Sequence, residues 1–293
     1  MRAVAAGLGA LGALGRPGEG RVLASFPKAC YLQLPGGLVA LVAPGVQPGP
    51  VHVTLDGLLP AAQAGERVPV SPDRVVVGGG RVDLSGVRRW CGELPPPDRL
   101  AEACPLALDA LSGVAARCLV PPARAALARE RVARGDLGGA ADALAGAGPG
   151  LTPAGDDALA GILFARRALG CNADLLSIAR SARTTTLSEA FLLWAARGQA
   201  LACVHTLLEA AAGGDADGAG RLAATLASVG HSSGADFAWG LCLGLDARYP
   251  VVRSDRMRSS GSGVPRDQSP RQTIWAPMAS PARLRRHGPL VPR

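Results

Sequence analysis

One stretch of the chain combines residue types that bind small anions and handle protons: Gly146-Ala147-Gly148-Pro149-Gly150-Leu151-Thr152-Pro153-Ala154-Gly155-Asp156-Asp157. Its glycines allow backbone angles closed to other residues and let main-chain amides approach a ligand closely. Thr152 reads as a helix N-cap and Pro153 as the first helical residue. The turn would therefore feed a helix N-terminus, whose amides and dipole favour phosphate or carboxylate. Asp156 and Asp157 then fall in the first turn of that helix. Their structural account is the dipole, which favours each by about 0.3–1 kcal/mol. Beside a bound anion, however, the pair would repel it. The conflict disappears if they hold a divalent cation such as Mg that bridges to the ligand, or hydrogen-bond its amide or hydroxyl groups. Gly148, Gly150, Leu151, Thr152 and Gly155 are thus candidate phosphate-binding residues. Asp156 and Asp157 are candidates for catalysis and for metal ligation.

Two further polar islands interrupt apolar sequence. In Gly230-His231-Ser232-Ser233-Gly234-Ala235-Asp236, Ser232 or Ser233 would cap a helix and Asp236 would favour its dipole. His231 titrates near neutral pH and adds a candidate acid, base or ligand. In Thr184-Thr185-Thr186-Leu187-Ser188-Glu189, Thr186 and Glu189 have the spacing of a capping box. That leaves Thr184 and Thr185 unused, and with Arg183 they could help hold an anion. Arg166 and Arg167 read as a solvated helix face. No Ser-His-Asp set and no dinucleotide fingerprint can be assembled.

The elements that must position these islands follow from periodicity. From Val22 to about Trp90, short apolar runs are broken by Gly and Pro. Tyr31–Leu34 and Leu38–Val42 flank Pro35-Gly36-Gly37 as a hairpin would, and Val51–Leu55 alternates as a half-buried strand. After Leu94-Pro95-Pro96-Pro97, apolar residues recur at three- and four-residue spacing. Helices are expected over 98–119, 122–134, 136–145, 153–169, 173–182, 187–197, 199–212, 217–228 and 233–245. The fold class is α+β: a leader or first helix over 1–20, a β-rich domain over 21–94, and a helical domain over 95–248. Residues 249–293 are rich in Arg, Ser, Pro and Gly without periodicity, the composition of a disordered basic tail.

Composition narrows the function classes. The net charge of +8 invites a nucleic-acid reading, but residues 253–293 carry nine Arg and two Asp. The remaining body has 22 basic and 21 acidic residues, so it lacks the basic footprint of a nucleic-acid binder. Seven scattered cysteines with no CxxC pair give neither a zinc site nor a disulfide framework, and they suit a reducing compartment. The glycine-interrupted N-terminus lacks a signal-peptide cleavage site, and no run approaches the roughly 20 apolar residues of a membrane span. A cytoplasmic protein is expected. Aromatics are only 3% of a chain that is 48% hydrophobic, so the core must be built mainly from Ala, Leu and Val, which favours close helix packing.

The string from Gly148 to Asp157, followed by Ala160-Gly161, resembles the signature G-x-G-P-G-L-T-P-S-G-D-D of the AllH family. Thr184-Thr185 with Leu187-Ser188, Ala196 and Gly198, then Gly230 through Asp236 with Gly240, resemble its later motifs in order. Ser25-Phe26, Tyr31-Leu32 and Gly49-Pro50 fall where that family has a β-rich region. The resemblance covers roughly residues 20–247. Ala154 stands where Ser is usual, Ala158 replaces a larger apolar residue, and Lys28 stands near where the pattern places Asn. The resemblance implies a subunit of oxamate carbamoyltransferase in purine (allantoin) catabolism, assembled with two partner subunits into a hetero-oligomer. Such an enzyme moves a carbamoyl group between oxalurate and phosphate, giving oxamate and carbamoyl phosphate. Phosphate would sit at Gly148–Thr152, with Thr184, Thr185 and Ser188 as binding residues. Asp156 and Asp157 would orient the carbamoyl amide or a cation, and His231, Ser232, Ser233 and Asp236 would bind or polarise the acceptor. Two other readings stand beside it: a Mg-dependent phosphoryl-transfer or glycoside-cleaving enzyme, and a non-catalytic anion-binding subunit.

Overall fold

In the computed structural model, which describes residues 1–171 and 173–246, nine strands form one sheet. They are β1 (Ala3–Gly7), β2 (Gly18–Ser25), β3 (Ala29–Leu34), β4 (Gly37–Val42), β5 (His52–Leu55), β6 (Arg67–Ser71), β7 (Arg74–Val77), β8 (Gly80–Asp83) and β9 (Arg88–Trp90), with helix α1 (Leu8–Leu14) between β1 and β2. The order across the sheet is β8-β7-β6-β2-β3-β4-β5-β1-β9. Pairing is parallel for β4 with β5 and β1 with β9, and antiparallel elsewhere. The expected hairpin is present: Leu34 pairs with Gly37 across the Pro35-Gly36 turn, and Gly37 has a φ of +134°.

Alternation assigns the two faces of the sheet. Cys30, Leu32 and Leu34 of β3 join Val39, Leu41 and the α1 residues Ala10, Ala13 and Leu14 in one core. Tyr31, Leu38, Ala40 and Val42 project from the other face. Strand β4 is therefore buried on both sides, which accounts for its continuous apolar run.

Helices follow: α2 (Pro97–Ala115), α3 (Pro122–Ala133), α4 (Leu137–Leu144), α5 (Ala154–Ala168), α6 (Leu175–Ser181), α7 (Thr186–Ala195), α8 (Ala202–Ala212), α9 (Ala216–Ala227) and α10 (Ser233–Leu245). The second face of the sheet packs on α7 through Leu187, Phe191 and Trp194. Helices α5 and α10 are buried nearly all round and form the centre of the helical core. They touch backbone to backbone because glycines remove the side chains between them. A Cβ on Gly161 would lie 2.2 Å from the Phe237 carbonyl oxygen, and one on Gly240 only 1.8 Å from that of Ala158. Farther along, Gly244 meets Ala165 and Ile162. These pairings advance together in sequence, so the two helices run parallel and their N-termini share one end.

Three local details differ from the sequence pattern. The stretch read as a leader or first helix holds helix α1 but opens with a strand, because Ala3–Gly7 is inserted between β5 and β9. Arg166, read as solvated, is 1% exposed, since α5 is enclosed on almost every side; Arg167 alone is exposed. Strand β5 starts at His52. All seven cysteines are free. Among the described residues no helix is long and apolar enough to cross a membrane. The expected tail over 249–293 lies outside the described residues.

Candidate active site

The packing of α5, α7 and α10 brings the three polar islands to one place. Gly146, Gly148 and Gly150 all have positive φ, at +68°, +120° and +98°, which winds residues 146–152 into an open turn that L side chains would strain. The start of α7 holds this turn down. Thr185 donates its hydroxyl to the Leu151 carbonyl at 2.6 Å, and Ser188 reaches the same oxygen at 3.4 Å. Thr185 also accepts from the Ser188 amide, so it caps α7. The expected capping box one residue later, at Thr186 and Glu189, is therefore displaced.

Asp156 is the second anchor. It is 2% exposed; its Oδ1 accepts from the Gly146 amide at 2.7 Å and its Oδ2 from the Thr184 hydroxyl. Both oxygens thus serve the protein, tying the glycine-rich turn to the segment before α7. Gly155 permits the close entry of α5: a Cβ there would lie 2.1 Å from the Leu144 carbonyl oxygen, and its amide donates to Ala147.

The helix terminus itself differs from the expected anion cradle. The amides of Gly155, Asp156 and Asp157 are consumed by the carbonyls of Ala147 and Pro153. Helix α5 starts at Ala154, and Thr152 makes no cap; its hydroxyl instead faces Ser233 of α10 at 3.3 Å. The free donors sit in the turn. Among the described residues the amides of Gly148, Gly150, Leu151 and Thr152 donate to no protein acceptor, and Gly148 to Leu151 are exposed. A run of unpaired, exposed amides is a candidate anion site, and the N-terminal ends of α7 and α10 touch it at Leu151 and Thr152 while α5 begins just after it.

Asp157 completes the arrangement. It is partly buried, and its Oδ2 is sealed from solvent without a hydrogen-bond partner. Burial pushes its carboxyl well above the usual carboxylate range; hydrogen bonding from Ser233 and Thr152 opposes this, and the nearby Asp236 and Asp156 add to it. Asp236 is fully buried, its Oδ1 accepting from the Leu119 amide at 2.6 Å; its Oδ2 has no N–H or O–H donor, and the Cys118 thiol is its near neighbour. The sheet contributes Tyr31, whose hydroxyl pKa is raised by burial and by the charge of Asp157. Sequence patterning marked Tyr31 only as a strand residue, because its approach to Asp157 depends on α7 packing against that face.

His231 and Ser232 enter none of these contacts. His231 is exposed in the turn before α10, and Ser232 occupies the N-cap position with no side-chain capping bond, contrary to the expectation that Ser232 or Ser233 caps. Among the described residues no group of three or more His, Cys, Asp or Glu is placed to hold a metal ion, and no residue is assigned here as a metal ligand. A groove of about 380 Å³ lined by Arg167, Asp174, Leu175 and Arg197 contains none of the site residues.

No curated protein and no solved structure matches this chain. One family model does. Residues 144–245, from the end of α4 through α10 and thus the whole constellation except Tyr31, match the AllH family, described as oxamate carbamoyltransferase subunit AllH.

Proposed function

We propose that this chain is the subunit of an oxamate carbamoyltransferase-like enzyme that grips the phosphate, and that carbamoyl transfer takes place at the turn over residues 148–152. The observation that carries the reading is the set of undonated amides at Gly148, Gly150, Leu151 and Thr152, pinned by Thr185 and Ser188 and flanked by Asp157. Fixed donors of this kind bind a phosphoryl group and stabilise charge that develops on an oxygen during acyl transfer. The anionic organic substrate, oxalurate as carbamoyl donor in one direction and oxamate as carbamoyl acceptor in the other, would lie toward Thr152, Ser233 and Tyr31. The description of the matching family as a subunit supports action in an assembly, for which two partner carbamoyltransferase chains are the expected companions.

The test is calorimetric titration of the full chain with phosphate and with carbamoyl phosphate, for wild type and Gly150→Val. A Cβ at position 150 meets nothing within 4 Å, so the substitution acts through the φ of +98° and reshapes the turn without a clash. Binding by the wild type and a loss of about tenfold or more in the variant are expected; tenfold corresponds to about 1.4 kcal/mol. Equal affinity in a folded Gly150→Val chain, or no binding by the wild type, overturns the anion site.

A further inference from the structure

The site poses an electrostatic problem that its hydrogen bonds only partly solve. Asp156 is matched by two protein donors. Asp236 has one oxygen on the Leu119 amide and the other near only the Cys118 thiol, and Asp157 has a sealed orphan oxygen on a carboxyl that the Thr152 and Ser233 hydroxyls also bond. Other titratable or charged groups around the site include Tyr31 on β3, Cys118 and Arg129 on the Asp236 side, Glu189 on α7, and Arg183 and His231 in the flanking turns, of which Glu189, Arg183 and His231 are exposed. An ionised Asp157 here would be a buried charge with acidic neighbours, and it would face an incoming phosphate. Both costs are large. A proton on the carboxyl removes the charge and with it the electrostatic part of both costs.

We propose that Asp157 enters the reaction as a neutral carboxylic acid and relays the proton that carbamoyl transfer must move. This rests on the carbamoyltransferase reading of the site. Hydrogen phosphate attacks the carbamoyl carbon of oxalurate, forming a carbon–oxygen bond, and the bond from that carbon to the amide nitrogen breaks. The departing nitrogen needs one proton to become the amide of oxamate, and the attacking phosphate has one to lose. Because Oδ2 is sealed, the transfer runs through the Thr152 and Ser233 hydroxyls that bond the Asp157 carboxyl: the carboxyl gives up its proton toward the nitrogen and recovers one from the phosphate, so it ends as it began and no other reactant is required. The upward displacement of its pKa by burial agrees with this role. Asp156 then acts only as a positioning residue for the turn.

Two measurements test the relay and separate it from the reading beneath it. In the first, the full chain without ligand is followed by infrared difference spectroscopy across pH. A protonated-carboxyl band that persists at pH 7 in wild type and is missing in Asp157→Asn is expected. Loss of that band with ordinary carboxylate titration overturns the proposal and leaves the anion site standing. In the second, the enzyme assembled with its partner subunits is assayed. Asp157→Asn should keep phosphate affinity within about twofold and lose turnover by a hundredfold or more, the usual scale for removing a general acid. Wild-type turnover in Asp157→Asn overturns the relay. Absence of carbamoyl transfer by the wild-type assembly overturns the relay together with the function it rests on, even if the infrared band is present.

Discussion

Gly240→Ala tests whether the site depends on two helices touching through their backbones. The added Cβ would sit 1.8 Å from the Ala158 carbonyl oxygen and 2.6 Å from its carbon. A carbon–oxygen contact relaxes near about 3.3 Å, so α5 and α10 must part by about 1.5 Å at this crossing. Overpacking of this kind costs about 1–3 kcal/mol. For a chain of this size, 2 kcal/mol lowers the melting temperature by about 4–8 °C. The same displacement carries Ser233 away from Thr152, whose hydroxyls are 3.3 Å apart, and out of hydrogen-bonding range. Phosphate affinity should therefore fall along with stability. Gly220→Ala is the control, because a Cβ there meets nothing within 4 Å in α9; it should gain up to about 1 kcal/mol from helix propensity and leave affinity unchanged. Thermal unfolding and phosphate titration of both variants give the answer. A Gly240→Ala chain with wild-type melting and wild-type affinity would refute the close-contact account of the site.

Two more outcomes follow from particular hydrogen bonds. Asp156→Ala strips partners from the Gly146 amide and the Thr184 hydroxyl; urea unfolding should show a loss of about 2–4 kcal/mol, and a loss below 1 kcal/mol would deny its anchoring role. His205 accepts from the Ala200 amide through Nε2 and donates to the Glu93 carbonyl through Nδ1, a pairing that only the neutral ring can make. Burial holds its pKa below the ordinary 6.5. Its contribution is therefore complete above pH 6.5 and is lost as pH falls through the depressed folded value, because the unfolded chain takes up the proton first. Wild type should lose more stability than His205→Gln between pH 7 and pH 5, measured by urea midpoints; parallel pH profiles would show that His205 does not titrate as described.

The helical half was legible because its grammar is local. Gly and Pro punctuate it, and the expected span 233–245 coincides with α10. The misreadings share one cause, which is that the deciding partner lies far away in sequence. Ala3–Gly7 has weak strand propensity and becomes β1 only between β5 and β9. Thr152 satisfies the pattern of an N-cap, yet its hydroxyl turns to Ser233, 81 residues on. Arg166 follows a helical surface pattern on a helix that has almost no surface.

The same distinction governs the candidate site. Each polar island was visible as a helix start, since small polar residues before an apolar run must cap or bind something. Whether the islands share a site depended on helix direction, and that is decided by glycines outside the islands. Gly161, Gly240 and Gly244 make α5 and α10 parallel neighbours, so Asp157 and Ser233 meet at one end. Had the two helices packed antiparallel, the same sequence islands would sit at opposite ends of α5. Asp157 would then be an ordinary first-turn carboxylate favoured by its helix dipole. Its burial, its acidic neighbours and its orphan oxygen are therefore products of tertiary packing, and any chemistry assigned to it rests on that packing.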